Sequence, residues 1–401
     1  MGEYALRAFF HDYCIVPIDS SVSRGFLSGL ESRDHRLGLD SDVAKACKAV
    51  GFASHGIKLS RPFLTRVAEE LYQELLKSLA REIKDSNRTK KQDATVVAIL
   101  LGLYEMTMAK DTNPGHHSAH AGGLTALLQI PNTPFALLEA VGSGGYSLTY
   151  TSGIFSTPRS THRGKDLDDL LLRLQPFYDV SEMIIIDQVT LLGLDKLQNL
   201  QTEAIALKND IDEWQQAQPN HFRPTKIGRI VPNTAHSGPQ IGYWPGRIDV
   251  YPDFYVAATW NVSRVARCFL IYLISRLSDA LGENSDLLNT LEEASSQVED
   301  IVASIPYHLS DDIQVFIQHA DKRAMIEPGR TAGGLLLMHP LYVISKLPII
   351  AREMQDYILD CLLWIGYHMG IGQATVLAEN PNMETDYITS GCMIIWAGLL
   401  L

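Results

Sequence analysis

Residues Arg330–Glu379 read RTAGGLLLMHPLYVISKLPIIAREMQDYILDCLLWIGYHMGIGQATVLAE. A polar lead-in is followed by two long apolar runs that close on a glycine-rich bend. The runs predict helices over Ala332–Ser345 and Ile349–His368, with Pro340 expected to kink or split the first. Two helices this apolar belong inside a stack of other helices, so the rest of the chain has to supply that stack.

Outward from this segment the periodicity stays helical. Ser60 offers a cap and Pro62 falls in the first turn, after which Leu64, Val67, Ala68, Leu71, Tyr72, Leu75, Leu76, Leu79 and Ile83 form one stripe. Asp93–Lys110 is a second helix, almost free of charge. Further helices are read at Tyr4–Tyr13, Asp40–Gly56, Ala119–Gln129, Val180–Gln216, Asp253–Leu281, Asn284–Ala303 and Asp311–His319. Strand signals are sparse, with only Met183–Ile186 resembling one. The expected fold class is all-α: two helical lobes around a long central helix region, with a mainly apolar cavity near their junction. An N-terminal lobe spans 1–219 and a C-terminal lobe 253–401, read as one continuous domain. Between them, Asn220–Pro252 carries five prolines and four glycines, and reads as a long loop. Its aromatic residues Tyr243, Trp244 and Tyr251 argue that it packs on something, either as a core cover or as a lid over a ligand. Ser143–Lys165 is a second irregular stretch.

Composition limits the functional classes. With 401 residues, 46% hydrophobic and 20% charged, the chain is an ordinary globular protein. Its formal net charge of −12 opposes direct binding to nucleic acid, and Arg159, Arg163 and Lys165 read as a solvated surface. Five scattered cysteines form no C-x2-C pair and fit reduced thiols in an intracellular protein, cytoplasmic or nuclear. The N-terminus lacks a secretory pattern, and the apolar end Cys392–Leu401 is about half of what a membrane span needs. His116, His117 and His120 suggest a metal cluster by spacing, but no further ligands accompany them, so no metal is expected. Gly142-Ser-Gly-Gly145 lacks the phosphate-loop ending, and no G-x-S-x-G elbow occurs. No cofactor is expected.

Several segments, in order, resemble the fungal-specific transcription factor domain, the large helical module of zinc-cluster regulators. Ala5–Phe10 and Arg24-Gly25-Phe26-Leu27 look like its opening, Asp93–Glu105 like its first strong helix, and His120–Leu128 like its H-x-x-G-A-x-x-L-L pattern. Leu124 stands where that pattern has alanine. Gly246–Arg267 is similar to its Y-P-x-x-x-V-A-x-x-W-N-x-x-R segment, and Gly333–Tyr342 with Trp364–Glu379 to its close. The resemblance implies an all-α fold and a role in metabolite sensing, dimerisation or regulation. The basic zinc-cluster segment of such regulators is absent from the chain, whose first residue already lies inside the module.

Two functions are therefore expected to compete. The favoured one is a cofactor-free cyclase of fungal secondary metabolism, of Diels–Alderase or related pericyclic type, which needs only an apolar cavity and one hydrogen-bond donor. The alternative is a ligand-sensing regulator or co-regulator that makes no DNA contact of its own. In either case the partner is a hydrophobic metabolite, and self-association as a homodimer stays open. The site is placed between the Asp253–Leu281 and Ala332–His368 helices, under the loop carrying Tyr243 and Trp244. Tyr243, Trp244, Trp260, Asn261 and Trp364 would shape the pocket, and His339, Tyr342, His368 or Arg264 would donate to a carbonyl oxygen.

Overall fold

A computed structural model describes residues 1–31, 38–82, 88–128, 154–155, 166–174, 177, 193–232, 240–283, 287–380, 382–399 and 401. Gly142–Gly145, the Arg159/Arg163/Lys165 cluster, Met183–Ile186, most of Ser143–Lys165 and the first part of the Val180–Gln216 helix lie outside the described residues.

The N-terminal helices are α1 (Gly2–Tyr13), α2 (Asp42–Lys58), α3 (Pro62–Glu82), α4 (Arg88–Met108) and α5 (His117–Leu128). Ser41 starts α2 by accepting a hydrogen bond of 3.1 Å from the Ala44 amide, which satisfies a donor the helix cannot. The stripe of α3 buries Ala68, Tyr72, Leu75 and Leu79, whereas Leu71 is only half-buried. From Ala94 to Met106 every residue of α4 is buried, as its lack of charge requires. These helices pack as a stack, α2 against α1, α3 and α4, and α5 against α4.

After α6 (Leu167–Leu172), the long α7 (Leu194–Ala217) lies along α8 (Phe254–Leu281). Asp253 caps α8 by accepting from the Val256 amide at 3.0 Å, and Gly282 in a left-handed conformation ends it. Then come α9 (Leu287–Val302), α10 (Ile305–Leu309), α11 (Ile313–Gln318), α12 (Thr331–Ser345), α13 (Arg352–Met369), α14 (Gly372–Glu379) and α15 (Thr385–Gly398). The architecture is all-α, in two helix-rich lobes. No helix among the described residues is long and apolar enough to cross a membrane.

Helix α12 is the centre of the core. It touches α1, α8, α10, α13, α14 and α15, and every residue from Thr331 to Tyr342 is buried. Its first turn approaches α10 backbone to backbone: a Cβ on Gly333 would stand 2.1 Å from the His308 carbonyl oxygen. Pro340 does not split this helix, which runs through it. The ring removes one backbone donor, but contacts on all sides outweigh that loss.

The Asn220–Pro252 segment also departs from expectation. It contains an antiparallel ribbon, β1 (Thr225–Ile230) paired with β2 (Gly246–Val250), with a register irregularity between Lys226 and Gly228. Prolines at 224, 232 and 245 flank the strands, where no ladder bond is lost. At the chain ends, the Leu27 amide donates to the Gly398 carbonyl at 2.8 Å and the Gly29 amide to that of Leu401 at 2.9 Å. The opening motif thereby docks on the last helix.

Candidate functional site

The polar residues read from the sequence fall into four groups with different neighbours. The largest is built on α8. Asn261 is wholly buried; its amide nitrogen donates to Ser304 Oγ at 3.0 Å and to His308 Nε2 at 3.3 Å. The His308 Nδ1–H donates to the Gly333 carbonyl at 3.0 Å, which fixes the tautomer and leaves Nε2 as the acceptor Asn261 needs. The Asn261 side-chain oxygen accepts from Arg264 Nη1 at 3.1 Å, and the same nitrogen donates to the Tyr251 hydroxyl at 2.7 Å. Asp300 lies 3.8 Å from Arg264 Nε and receives Arg247 Nη2 at 2.6 Å. Trp260 caps the guanidinium, its ring centre 5.4 Å from Arg264 Cζ, and donates through Nε1 to the Phe222 carbonyl at 2.7 Å. Arg264 and Asn261 thus meet Tyr251 just after β2, Asp300 of α9, and Ser304 and His308 at and in α10. The network joins five elements of the chain and holds the start of α12 in place.

Burial pushes the His308 imidazole down to about 4, so it stays neutral at ordinary pH and can serve as acceptor. Burial likewise raises the Tyr251 phenol, which keeps its proton beside Arg264.

Tyr243 and Trp244 form the second group. The Tyr243 hydroxyl donates to the Ala324 carbonyl at 2.8 Å and its ring packs on Phe316, while Trp244 packs on Tyr357 of α13 at 5.0 Å. The Gly242 amide donates to the Tyr357 hydroxyl at 3.1 Å. Third, Trp364 stacks on His368 at 5.0 Å, with His368 exposed on α13. The fourth pair faces α15 and its approach: the Tyr342 hydroxyl accepts from the Met383 amide at 3.3 Å, and His339 abuts Gly391. Burial, with His117 nearby, pushes the His339 imidazole down to about 3.

The three N-terminal histidines diverge. His117 Nε2 donates to the Tyr387 carbonyl at 2.9 Å, and His120 Nε2 lies 3.2 Å from the Tyr72 hydroxyl. Tyr72 in turn donates to Glu105, which also accepts the His116 amide at 3.0 Å. Among the described residues no three His, Cys, Asp or Glu side chains are placed to hold a metal. Sequence reasoning missed Ser304, His308, Asp300, Gln373 and Tyr387. Gln373 lies inside the closing segment of the family match but carries no signal of its own, the other four lie outside the quoted motifs, and only its buried position makes each a partner.

A stack of helices with Tyr251, Trp260, Asn261 and Arg264 joined at its centre brings together the segments that resemble the fungal transcription-factor module. Over 404 aligned residues the chain is 50% identical to the transcription factor dbaG of Emericella nidulans, a match that takes in all of this chain and 96% of that protein. The chain belongs to the fungal transcription-factor-domain family. No family profile and no solved structure matches it. This likeness corrects the cyclase expectation: a relative matched from end to end is a transcription factor by name, and nothing in the comparison supports a Diels–Alderase or any other enzyme. The expectation failed because an apolar interior without catalytic motifs is common to pericyclases and to non-enzymes, so it does not discriminate.

Proposed function

We propose that the protein is an intracellular transcriptional regulator that senses a hydrophobic metabolite and works through contacts with other proteins. The observation that carries this reading is its 50% identity, from end to end, with a protein named a transcription factor. The charge balance supports protein contacts over direct DNA binding: at −12 the chain as a whole repels a polyanion. The Arg264–Asp300–Arg247 network supports a switchable element, since it ties the ribbon to α8, α9 and, through Asn261 and His308, to α12. A ligand that shifts α12 by contact would be felt at the surface ribbon.

Deleting the gene and measuring transcripts tests the reading. Loss or gain of a defined transcript set, restored by the intact gene, is the expected result. Unchanged transcripts together with an accumulated intermediate would overturn it. Purified protein that shifts duplex DNA at 150 mM salt would overturn the preference for protein contacts.

A further inference from the structure

The β1–β2 ribbon has one covered edge and one open one. Strand β2 turns its outer edge inward: the Asp249 amide donates to the Ala303 carbonyl just past α9 at 2.9 Å, and Ile248 and Asp249 are buried. Strand β1 differs. Thr225, Lys226 and Arg229 are exposed, Ile227 and Gly228 half-buried, and only Ile230 is buried. Among the described residues no backbone group outside the ribbon bonds to Thr225–Ile230. The outward amides and carbonyls of this six-residue strand therefore face solvent.

The charge along this edge has one sign. Arg223 stands just before β1, its Nε donating to the Gln218 carbonyl at 2.6 Å. Lys226 and Arg229 lie on the strand, and Arg323 reaches its far end, where Nη2 donates to the Val231 carbonyl at 3.3 Å. None of the four forms an ion pair among the described residues. Lys226 stands opposite Asp249 and Arg229 opposite Arg247, two residues apart on β2, so both cations rise from one face of the ribbon. On a regular strand residues three apart point to opposite faces; the register irregularity between Lys226 and Gly228 brings these two together. The β2 charges of that face are already matched, Arg247 Nε donating to Asp249 at 2.8 Å and Nη2 to Asp300 at 2.6 Å. Lys226 and Arg229 stay uncompensated in a chain whose net charge is −12.

Charged residues on an edge strand keep unwanted strands away. Here the exclusion is selective. A second copy of β1 would set Lys226 and Arg229 against their own kind, and like charges directly opposite destabilise a pair. A neutral apolar strand would desolvate both cations without compensation. An extended segment with carboxylates at every second residue places them beside Lys226 and Arg229 on one face, and its backbone offers donors and acceptors to the open ladder. Nucleic acid meets the charge but not the ladder. Its phosphates accept hydrogen bonds and donate none, so the β1 carbonyls would stay unpaired.

We propose that the open edge of β1 docks an acidic, extended segment of a partner protein as a third strand of the ribbon. This contact rests on the regulatory reading for the kind of partner, and gives a surface to the protein contacts through which that regulator works. The same ribbon is coupled through Arg247 and Asp300 to α9 and to Arg264 of α8.

The test uses the full chain and a fluorescein-labelled seven-residue peptide that alternates glutamate with valine, read by fluorescence anisotropy. Two control peptides carry lysine for glutamate or a fully N-methylated backbone. The glutamate peptide should bind saturably and slow hydrogen exchange in the fragment covering Thr225–Ile230, and both controls should bind tenfold or more weakly. Lys226→Glu with Arg229→Glu should lose the glutamate peptide, accept the lysine one and melt at the wild-type temperature, since both side chains are exposed. If that double variant melts lower, Lys226→Gln with Arg229→Gln replaces it and should weaken the glutamate peptide tenfold. No saturable binding, equal binding of the N-methylated peptide, or protection that misses β1 would overturn the proposal. So would a short DNA duplex that binds more tightly and is lost in the same variant, which would assign the edge to nucleic acid. Protection of β1 that rises with protein concentration in the absence of peptide would assign it to a second copy, with the same consequence. Gene-dependent transcripts with no peptide bound would strike out this edge and leave the regulatory reading standing; peptide binding with transcripts unchanged would do the reverse.

Discussion

Replacing Asn261 by leucine keeps nearly the same volume while removing the hub of the α8 network. His308 Nε2 would lose its donor, and because His308 has no surface exposure no water replaces it. A buried acceptor left unpaired costs about 1–3 kcal/mol, and the lost bond to the charged Arg264 adds about 1.5–3 kcal/mol. Arg264 keeps Tyr251 and Ser304 keeps the Ile301 carbonyl, so the sum should settle near 3–4 kcal/mol. Taking about 2.1 cal/mol/K of unfolding entropy per residue over 401 residues, that corresponds to a fall of about 4 °C in melting temperature. Calorimetry on purified wild type and variant at pH 7 measures it. A double variant, Asn261→Leu with His308→Phe, separates the cause. Once the stranded imidazole is gone, the pair should cost about 1–2 kcal/mol less than the two single losses together. A melting temperature within 1 °C of wild type for Asn261→Leu, or strict additivity in the double variant, would refute the reasoning.

Leu75→Ala on α3 should cost about 2–5 kcal/mol, read from urea unfolding, because Leu75 has no exposure and its removal leaves a cavity. Leu71→Asp, which the helical stripe marks as severe, should be milder than Leu75→Asp, since the half-buried position lets a carboxylate reach water. Acid should destabilise the fold from about pH 6.5 downwards: His308 and His339 are held neutral by burial to about 4 and about 3, so the unfolded chain binds more protons there. Asp168, pushed up to about 6 by burial, acts in the opposite sense and gains stability as it protonates. His339→Leu should therefore flatten the acid slope by up to about 1.4 kcal/mol per pH unit in urea titrations at pH 7, 6 and 5, and an unchanged slope would count against the assignment. EDTA should leave the far-ultraviolet circular dichroism and the melting temperature unchanged, and a loss of helix on chelation would show that a bound metal had been overlooked.

Much of the fold is legible because one helical stripe or one unbroken apolar run suffices to place each long helix, as in α3, α4, α8 and α12. The ribbon was not. Its strands are five and six residues long and lie among prolines and glycines, so composition reads as loop while pairing decides otherwise. Trp260, Asn261 and Arg264 stand out in sequence as polar breaks in an apolar helix. Their roles do not, because partners such as His308 and Asp300 lie over 35 residues away and carry no pattern of their own. His339 was noticed for the same reason as Asn261. Its neighbours Gln373 and Gly391 were not, since a lone glutamine and a glycine acquire meaning only when four helices converge.

The position of α12 bears on how the chain is made. Gly333, Gly334 and Pro340 give this segment little helical preference of its own, and its order depends on six surrounding helices. Residues 1–330 precede this segment, and until it is made α1, α8 and α10 have nothing against the faces that α12 covers. The earlier helices must wait with apolar faces uncovered, a state that invites chaperone capture and aggregation. Final packing is then a late event, completed after α12 enters and the C-terminal helix closes onto Leu27 and Gly29. A stop codon between Thr331 and Leu401 should therefore leave an insoluble product and not a shortened, folded one.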